Sequence, residues 1–288
     1  MGTVLILGTG YSALAIARVL VPLGWTVRGT TRDPNKLAVL EQAGVTPVSL
    51  CGDTRDIALH QAMDGATHWI ISAAPGPQGD PFLRDHRSWL ATGPAPRWLG
   101  YLSTTGVYGD VGGAWIDETA PRAATSDRGR ARIDAEDAWT AFGTERGAVV
   151  ALFRLAGIYG PGRSALEQVL SGRARRVIKP GHVFNRIHVD DIAQAVAAAA
   201  TGTVGGAFNL ADDEPAESAE VLGYAAELLG RPPPLDVPYE PNAMSPMARS
   251  FYSELKRIDN RKAKRLLGLG PRYPTYREGL RAGLPRLR

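Results

Sequence analysis

The stretch TVLILGTGYSA, residues 3 to 13, decides the fold of this chain. It opens with an uninterrupted apolar run, which is typical of a parallel strand that is buried on both faces. Gly8 permits a tight turn, Gly10 lets a phosphate approach the backbone, and Ala13 lets the following helix pack close to the strand. The unpaired N–H groups at the start of that helix suit a pyrophosphate. The stretch predicts the first βαβ unit of a doubly wound parallel α/β sheet, a Rossmann fold.

The glycine turn has a second interpretation, in which it only connects a strand to a helix. Its position directly after a buried strand favours a dinucleotide site. Strands are expected at residues 3–7, 25–30, 45–50, 69–73, 98–102, 148–153 and 207–210. Helices are expected at 14–21, 34–43 and 191–200, with two short ones within 260–284. The segment 79–96 is short and broken for a crossover helix, and 231–252, with six prolines, is expected to be loop-rich.

The end of the second strand predicts which cofactor binds. NAD-binding proteins place an acidic residue there, whereas this chain has Thr31 and Arg32. A guanidinium and hydroxyls bind a 2′-phosphate, which a carboxylate repels, so we expect NADP rather than NAD. Arg32 as a plain surface residue is the alternative. Asp33, directly before Pro34, is expected to cap the next helix.

The expected cofactor site extends to the ends of the next two strands. Asp53 either reaches an adenine amine or caps the following helix, and both roles are compatible. Small residues after the fourth strand let a cofactor lie close to the backbone. The cofactor-binding residues predicted from the sequence are Gly8, Thr9, Gly10, Tyr11, Ser12, Ala13, Thr31, Arg32, Asp53, Thr54, Ala73, Ala74 and Pro75.

Composition narrows the class of protein. The 288 residues are 44% hydrophobic, which is enough for one large α/β domain with or without a smaller lobe. The single cysteine, Cys51, and the lack of a leader signal predict a cytoplasmic protein, and no apolar stretch is long enough to span a membrane. The net charge of +4 comes from dispersed basic residues, so no nucleic-acid partner is expected. No cluster has metal-ligand spacing. We expect a small-molecule substrate and a monomer or homodimer.

Five motifs carry a family resemblance: GTGYSA at 8–13, STTGVYG at 103–109, DETAP at 117–121, RLAGIYGPG at 154–162 and RIHVDDIA at 186–193. Their order and spacing resemble the extended short-chain dehydrogenase/reductase family, which includes nucleotide-sugar epimerases and dehydratases. The resemblance implies an NAD(P)-binding Rossmann domain at residues 1–160, completed by about 185–210. It implies a smaller substrate-binding C-terminal lobe formed by 161–184 and 211–288.

The chain departs from this family at the reacting centre. The family's acid is a tyrosine with a lysine four residues later, near the start of the helix after the fifth strand, and a Ser or Thr polarises the substrate oxygen. Thr104 matches the Ser/Thr position, but alignment on Glu136 places Arg128 at the tyrosine and Arg132 at the lysine. An arginine cannot exchange a proton near neutral pH. The chain therefore resembles the atypical branch of the family, in which the usual acid is missing.

Several residues are candidates for the vacant roles. Arg132 is expected to hold ribose hydroxyls and place charge near the nicotinamide, and Arg128 either binds an anionic substrate group or is a solvated helix residue. Tyr108 is our first candidate for the acid; Tyr159 and His188 are others, and all three have a structural alternative. The predicted catalytic residues are Thr104, Tyr108 and Arg132, and the predicted substrate-binding residues are Arg128, Tyr159, Arg163 and Arg186.

These features lead to one functional hypothesis and one alternative. The first is an NADP(H)-dependent oxidoreductase or epimerase/dehydratase-like enzyme acting on a small, anionic, carbonyl, alcohol or sugar-type substrate. Sugar-nucleotide relatives place a diphosphate-binding arginine where this chain has Phe184, with Arg186 two residues further on, which weakens a nucleotide-sugar substrate. The alternative is a non-catalytic NADP(H)-binding sensor or regulatory protein.

Overall fold

The computed structural model describes residues 2–52, 55–268 and 270–284 and is built around one parallel sheet. Its seven strands are labelled in chain order β1 (Thr3–Leu7), β2 (Thr26–Thr31), β3 (Val45–Ser49), β4 (Ala66–Ile71), β5 (Trp98–Thr104), β6 (Val149–Leu155) and β7 (Gly206–Leu210). Their order across the sheet is β7-β6-β5-β4-β1-β2-β3, and every neighbouring pair is parallel. The chain order reverses at β1, between β2 and β4. The predicted doubly wound Rossmann sheet is confirmed.

Helices cover both faces of the sheet and form the smaller lobe. They are α1 (Tyr11–Leu20), α2 (Leu37–Gln42), α3 (Arg55–Met63), α4 (Pro81–Asp85), α5 (Arg87–Thr92), α6 (Asp127–Glu145), α7 (Ala165–Leu170), α8 (Val189–Gly202), α9 (Ser218–Leu228), α10 (Pro246–Tyr252), α11 (Arg261–Leu267) and α12 (Tyr276–Gly283). Three 3₁₀ helices lie at Pro34–Lys36, Thr105–Tyr108 and Pro241–Ala243.

The first strand shows why the sheet is covered on both sides. Val4 and Ile6 belong to one apolar core, together with side chains of α1 and α8, whereas Leu5 and Leu7 belong to a second core with α3 and α6. All four side chains are fully buried. Because successive strand residues point to opposite faces, an uninterrupted apolar run is required here.

The smaller lobe has an apolar core of its own. This core joins Tyr159 to side chains of α7, α9 and α12. Short strand pairs complete the lobe and its junction: Arg176–Ile178 with Asp236–Pro238, Val183–Phe184 with Ala216–Glu217, Gly157–Tyr159 with Arg186–His188, and Trp115–Ile116 with Arg257–Ile258.

Some element boundaries differ from the expectation. Helix α11, placed in the lobe from the sequence, packs Ala263 and Leu267 into the core of the main domain. Strand β4 begins at Ala66 rather than at Trp69. The added part contains His68, which is buried between the rings of Trp25 and Trp98 at 4.7 and 5.9 Å. The apolar pattern did not predict His68 as part of the strand, because histidine is a polar residue.

Candidate functional site

The glycine turn after β1 is held by β2. The Gly8 N–H donates to Thr30 Oγ1 at 2.8 Å, and the Thr9 N–H donates to the Thr30 carbonyl at 2.9 Å. Gly8 has φ +89°, and a Cβ there would lie 2.9 Å from the Ala73 nitrogen. A Cβ at Gly10 would meet no atom within 4 Å. The position beside Gly10 is thus open, as a backbone cradle for a pyrophosphate requires.

The residues that follow Gly10 have different roles from one another. Gly10 is the N-cap of α1, so the first N–H groups of this helix have no acceptor within it. Ala13 is fully buried and Ser12 nearly so, which allows the close packing of α1 that the sequence predicts. The Thr9 hydroxyl is buried against Gly29, where an added Cβ would lie 2.5 Å away. The Thr9 side chain therefore supports the turn and does not reach a ligand.

A cleft of about 780 Å³ opens in front of this turn. It is lined by Gly8, Thr9, Gly10, Thr30, Thr31, Arg32, Asp33, Lys36, Leu50, Ser72, Ala73, Ala74, Pro81, Phe82, Asp85 and His86. Seven of the thirteen predicted cofactor residues line the cleft: Gly8, Thr9, Gly10, Thr31, Arg32, Ala73 and Ala74. Tyr11, Ser12, Ala13 and Pro75 do not line it, and Asp53 and Thr54 lie outside the described residues.

The cleft has exposed cations at the end of β2. Arg32 and Lys36 are exposed, and no residue in the described ranges forms a hydrogen bond or ion pair with either charged group. The Asp33 carboxylate instead caps the next turn by accepting from the Asn35 N–H at 3.0 Å, as predicted. The Thr31 hydroxyl accepts from the Asp33 N–H at 3.1 Å. This end of the cleft suits a phosphate.

Several cleft residues were missed from the sequence, and they include Lys36, Leu50, Pro81, Phe82, Asp85 and His86. Lys36 follows Arg32 by four residues, and a second basic residue so near the end of β2 could have been recognised in the sequence. Pro81, Phe82, Asp85 and His86 lie on or just after α4. This helix falls within the segment that was expected to be too short and broken for a crossover helix. No motif marks them.

Tyr11 and Arg163 join the first helix to the loop after Tyr159. The Tyr11 hydroxyl donates to the Pro161 carbonyl at 3.1 Å, and the Arg163 guanidinium lies 5.9 Å from the centre of the Tyr11 ring. Both residues sit at the junction between the main domain and the lobe. Arg163 is exposed, so it remains a candidate for an anion contact.

The end of β5 approaches the start of α6 very closely. A Cβ at the buried Gly129 would lie 2.8 Å from the Gly106 carbonyl oxygen. Thr104 Oγ1 accepts from the Gly106 N–H at 3.1 Å, which leaves its own O–H to donate to a ligand. Arg128, the neighbour of Gly129, is exposed in the first turn of α6. The structure therefore places Thr104 and the start of α6 beside each other, as the resemblance implies.

Arg132 is half-buried and bonded to β5. Its Nη1 donates to the Leu102 carbonyl at 2.7 Å and to the Tyr101 hydroxyl at 3.2 Å. Burial raises the pKa of Tyr101 to about 12, although Arg132 opposes the shift. Burial also raises the pKa of Asp80, and the charge of Arg132 again opposes it. Arg132 thus supplies a fixed positive charge between β5 and the start of α4.

The structure does not fit Tyr108 as the acid. Its side chain is 1% exposed, and its hydroxyl donates to Asn209 Oδ1 at 2.6 Å and accepts from Arg154 at 2.9 Å. Arg154 in turn pairs with the buried Glu136 at 2.9 Å. Burial also raises the pKa of Tyr108 above its ordinary value. The Tyr108 hydroxyl is buried and already donates its hydrogen, so it is poorly placed to protonate a substrate. It instead links the sheet to α6.

Tyr159 and Arg186 also have structural positions. The Tyr159 hydroxyl donates to the Thr275 carbonyl at 3.3 Å and packs on Gly279 of α12. Arg186 donates to the carbonyls of Phe184 and Ala216, each at 2.9 Å. Both side chains hold the lobe together, which does not fit their predicted contact with substrate.

His188 has a structural position too. Its Nδ1 caps α8 by accepting from the Asp190 N–H at 3.1 Å. Its ring packs against Tyr159 and Tyr273, with ring centres 5.1 and 4.0 Å away. The ring is 3% exposed. These contacts support the structural interpretation of His188.

Two further features are absent from the described parts of the chain. No group of three or more His, Cys, Asp or Glu side chains is placed to hold a metal ion there. None of the helices there is long and apolar enough to cross a membrane.

Two solved structures are similar to this chain, to different degrees in sequence. The chain is 44% identical to a functionally unknown conserved protein from Silicibacter pomeroyi, with both chains covered in full and a TM-score of 0.90. It is 21% identical to UDP-glucose 4-epimerase from Thermus thermophilus, solved with NAD, which has the same fold; 100% of this chain and 99% of that chain are covered, with a TM-score of 0.77.

A curated relative adds a reductase. The chain is 30% identical over 140 residues to the 3-diazoavenalumate denitrifying reductase of a Streptomyces species. The match covers 45% of this chain and 45% of that reductase, so the chain spans about half the length of this relative. The family model described as NAD-dependent epimerase/dehydratase matches residues 90–211. Residues 90–211 are therefore similar to the NAD-dependent epimerase/dehydratase family, and the parallel sheet and the glycine turn of the chain agree with this similarity.

Proposed function

We propose that this protein is an NADP(H)-dependent reductase that works without the family's tyrosine. The observation that carries the proposal is the cleft in front of the glycine turn, with Arg32 and Lys36 exposed at the end of β2. The acidic residue beside them, Asp33, is engaged in capping. Exposed cations whose charged groups have no partner among the described residues favour a cofactor with a 2′-phosphate.

The cleft and residues outside it suit different parts of the cofactor. The open position at Gly10 and the start of α1 suit the pyrophosphate, and Ala73 and Ala74 leave room beside it. Arg132, fixed by β5, is suited to hold the nicotinamide ribose from the position of the family's lysine. NADPH, when bound, would supply a hydride. Arg163, at the junction with the lobe, is a further candidate for an anion contact.

The two arginines of α6 limit the proton chemistry of the site. Neither Arg128 nor Arg132 can exchange a proton near neutral pH, so neither replaces the acid of the family. A guanidinium can still stabilise the negative charge that develops when an electron-poor group is reduced. Thr104 has an O–H that is free to donate to the substrate oxygen. In this proposal a carbonyl carbon would receive hydride from NADPH, and the oxygen would receive its proton from water.

The substrate class follows from the same groups. Arg128 is exposed at the start of α6 and is suited to an anionic substituent. We propose a small anionic carbonyl compound or a similar electron-poor acceptor. The similarity to the 3-diazoavenalumate denitrifying reductase supports a reductase activity.

The test is a two-way assay with the purified protein. Loss of the reduced-nicotinamide absorbance is followed with NADPH and a panel of anionic aldehydes, ketones and diazo compounds, and its appearance is followed with NADP⁺ and the matching alcohols. We expect turnover with NADPH on at least one member of the panel, and slower turnover of the matching alcohol with NADP⁺ because the equilibrium near neutral pH favours the reduced product. No oxidation of NADPH with any member of the panel would contradict the proposal.

The absent acid also favours a second candidate, an NADP(H) sensor that performs no hydride transfer. Tyr108 is buried in a structural network, so it does not replace the family's acid at the end of β5. Tight binding of NADPH without turnover on any member of the panel would favour the sensor over the reductase.

A further inference from the structure

A histidine and an aspartate form a pair at the edge of the cofactor cleft. His86 Nδ1 lies 2.7 Å from Asp56 Oδ1, and the His86 side chain is 9% exposed while that of Asp56 is 34% exposed. His86 comes at the end of α4 and Asp56 in the first turn of α3, so the contact joins two helices that follow different strands. Neither residue belongs to a motif that the sequence singled out.

His86 lines the cleft in front of the glycine turn, which also holds Arg32 and Lys36. Leu50, just past β3, and Phe82 of α4 line the same cleft. The His86 and Phe82 rings lie 5.8 Å apart. Apolar side chains with a single polar group are the usual surroundings of a bound purine.

The carboxylate fixes the form of the imidazole. An ionised carboxylate only accepts hydrogen bonds, so the Nδ1 that contacts Asp56 carries the hydrogen. In the neutral ring Nε2 is then an acceptor, and no residue among 2–52, 55–268 and 270–284 forms a hydrogen bond with it. The exocyclic amine of adenine is the donor that such an acceptor fits.

We propose that His86, held by Asp56, is a specificity-determining residue that accepts a hydrogen bond from the adenine amine of the cofactor. The proposal rests on the NADP(H) function proposed above. It distinguishes adenine from hypoxanthine, which carries a carbonyl oxygen at the position of the amine. Two facing acceptors repel each other, and the polar group of the site is left unpaired.

The experiment compares the affinity for NADPH with that for reduced nicotinamide hypoxanthine dinucleotide phosphate, by calorimetric titration of the intact protein. We expect the hypoxanthine cofactor to bind about tenfold more weakly, because one buried hydrogen bond is lost. His86→Phe keeps the ring and should bind both cofactors equally. His86→Gln keeps an acceptor and should retain part of the preference. Circular dichroism checks that each variant is folded.

A matched control is His60→Phe, since His60 lies on α3 and packs on Trp89 outside the cleft. This variant should keep the full preference for adenine. Equal affinity of the unmodified protein for the two cofactors, or an unchanged preference in His86→Phe, would overturn the inference while leaving NADPH binding intact. Failure to bind either cofactor would instead overturn the proposed function.

Discussion

The hydroxyl of Tyr108 donates to the side chain of Asn209 at 2.6 Å and so ties the turn after β5 to the end of β7. The same hydroxyl accepts from Arg154, whose partner Glu136 is fully buried on α6. One tyrosine in a family motif thus holds together three elements of the main domain.

Replacing Tyr108 by Phe should therefore change stability rather than turnover. The change leaves the buried Asn209 Oδ1 without its donor and removes one acceptor of Arg154, which keeps Glu136, and this costs about 1–3 kcal/mol of unfolding free energy. NADPH affinity and the rate of NADPH oxidation should stay within about twofold of the unmodified protein, apart from any unfolded fraction. Urea unfolding and steady-state kinetics on the same preparation check both expectations. A stable variant that has lost its turnover would restore Tyr108 as the acid.

The two glycines of the turn should respond differently to substitution. Gly10→Val should abolish NADPH binding in a folded protein, because the added atoms would occupy the open side of the turn. Gly8→Val should unfold the protein, since Gly8 has φ +89° and no room beside Ala73. Circular dichroism and titration with NADPH separate the two outcomes. Unaltered binding in folded Gly10→Val would mean that the turn only connects β1 to α1.

A buried acid of the lobe should make stability depend on pH. Asp212 is 2% exposed, and burial raises its pKa from 3.8 to about 8 in spite of the nearby Arg186. The folded protein holds this proton more tightly than the unfolded chain, so the contribution to stability is complete below about pH 4 and is lost as the pH rises towards 8.

Asp212→Asn removes the titrating group and should flatten this dependence. We expect the variant to melt several degrees higher than the unmodified protein at pH 8, with a smaller difference at pH 5. Asp236→Asn is the control, since Asp236 is 55% exposed and pairs with Arg176 at the surface. Differential scanning calorimetry across the pH range makes the comparison. A constant difference between Asp212→Asn and the unmodified protein at every pH would exclude Asp212 as the titrating group.

Installing the family's acid should raise turnover in both directions, and the oxidative direction is the convenient one to measure. The double variant Arg128→Tyr with Arg132→Lys restores a tyrosine and a lysine four residues apart on α6, next to Thr104. We expect NADP⁺-dependent oxidation of the matching alcohol to rise at least tenfold, since a tyrosine beside a lysine can accept a proton. Arg128→Tyr alone should gain less, because Arg132 cannot exchange protons with the new tyrosine. No gain in the double variant would mean that the missing acid does not limit turnover.

The first thirteen residues were sufficient to predict the fold, because a buried parallel strand and a glycine turn have a strong local signature. The cationic side of the cleft could also be predicted in part, since Arg32 directly follows a strand. His86 could not, because its role depends on a contact with Asp56 that joins separate helices. The burial of Tyr108 could not be predicted for a similar reason: the motif fixes its position in the chain, whereas contacts with Asn209 and Arg154 decide its exposure.

The most direct test of the central claim is calorimetric titration of the unmodified protein with NADPH and NADH in parallel with Arg32→Ala and Lys36→Ala. We expect NADPH to bind more tightly than NADH by about tenfold to a hundredfold, because charge-assisted contacts to the 2′-phosphate contribute about 1.5–3 kcal/mol. Arg32→Ala should remove most of this preference and leave NADH affinity unchanged. Equal affinities for NADPH and NADH in the unmodified protein would contradict the account.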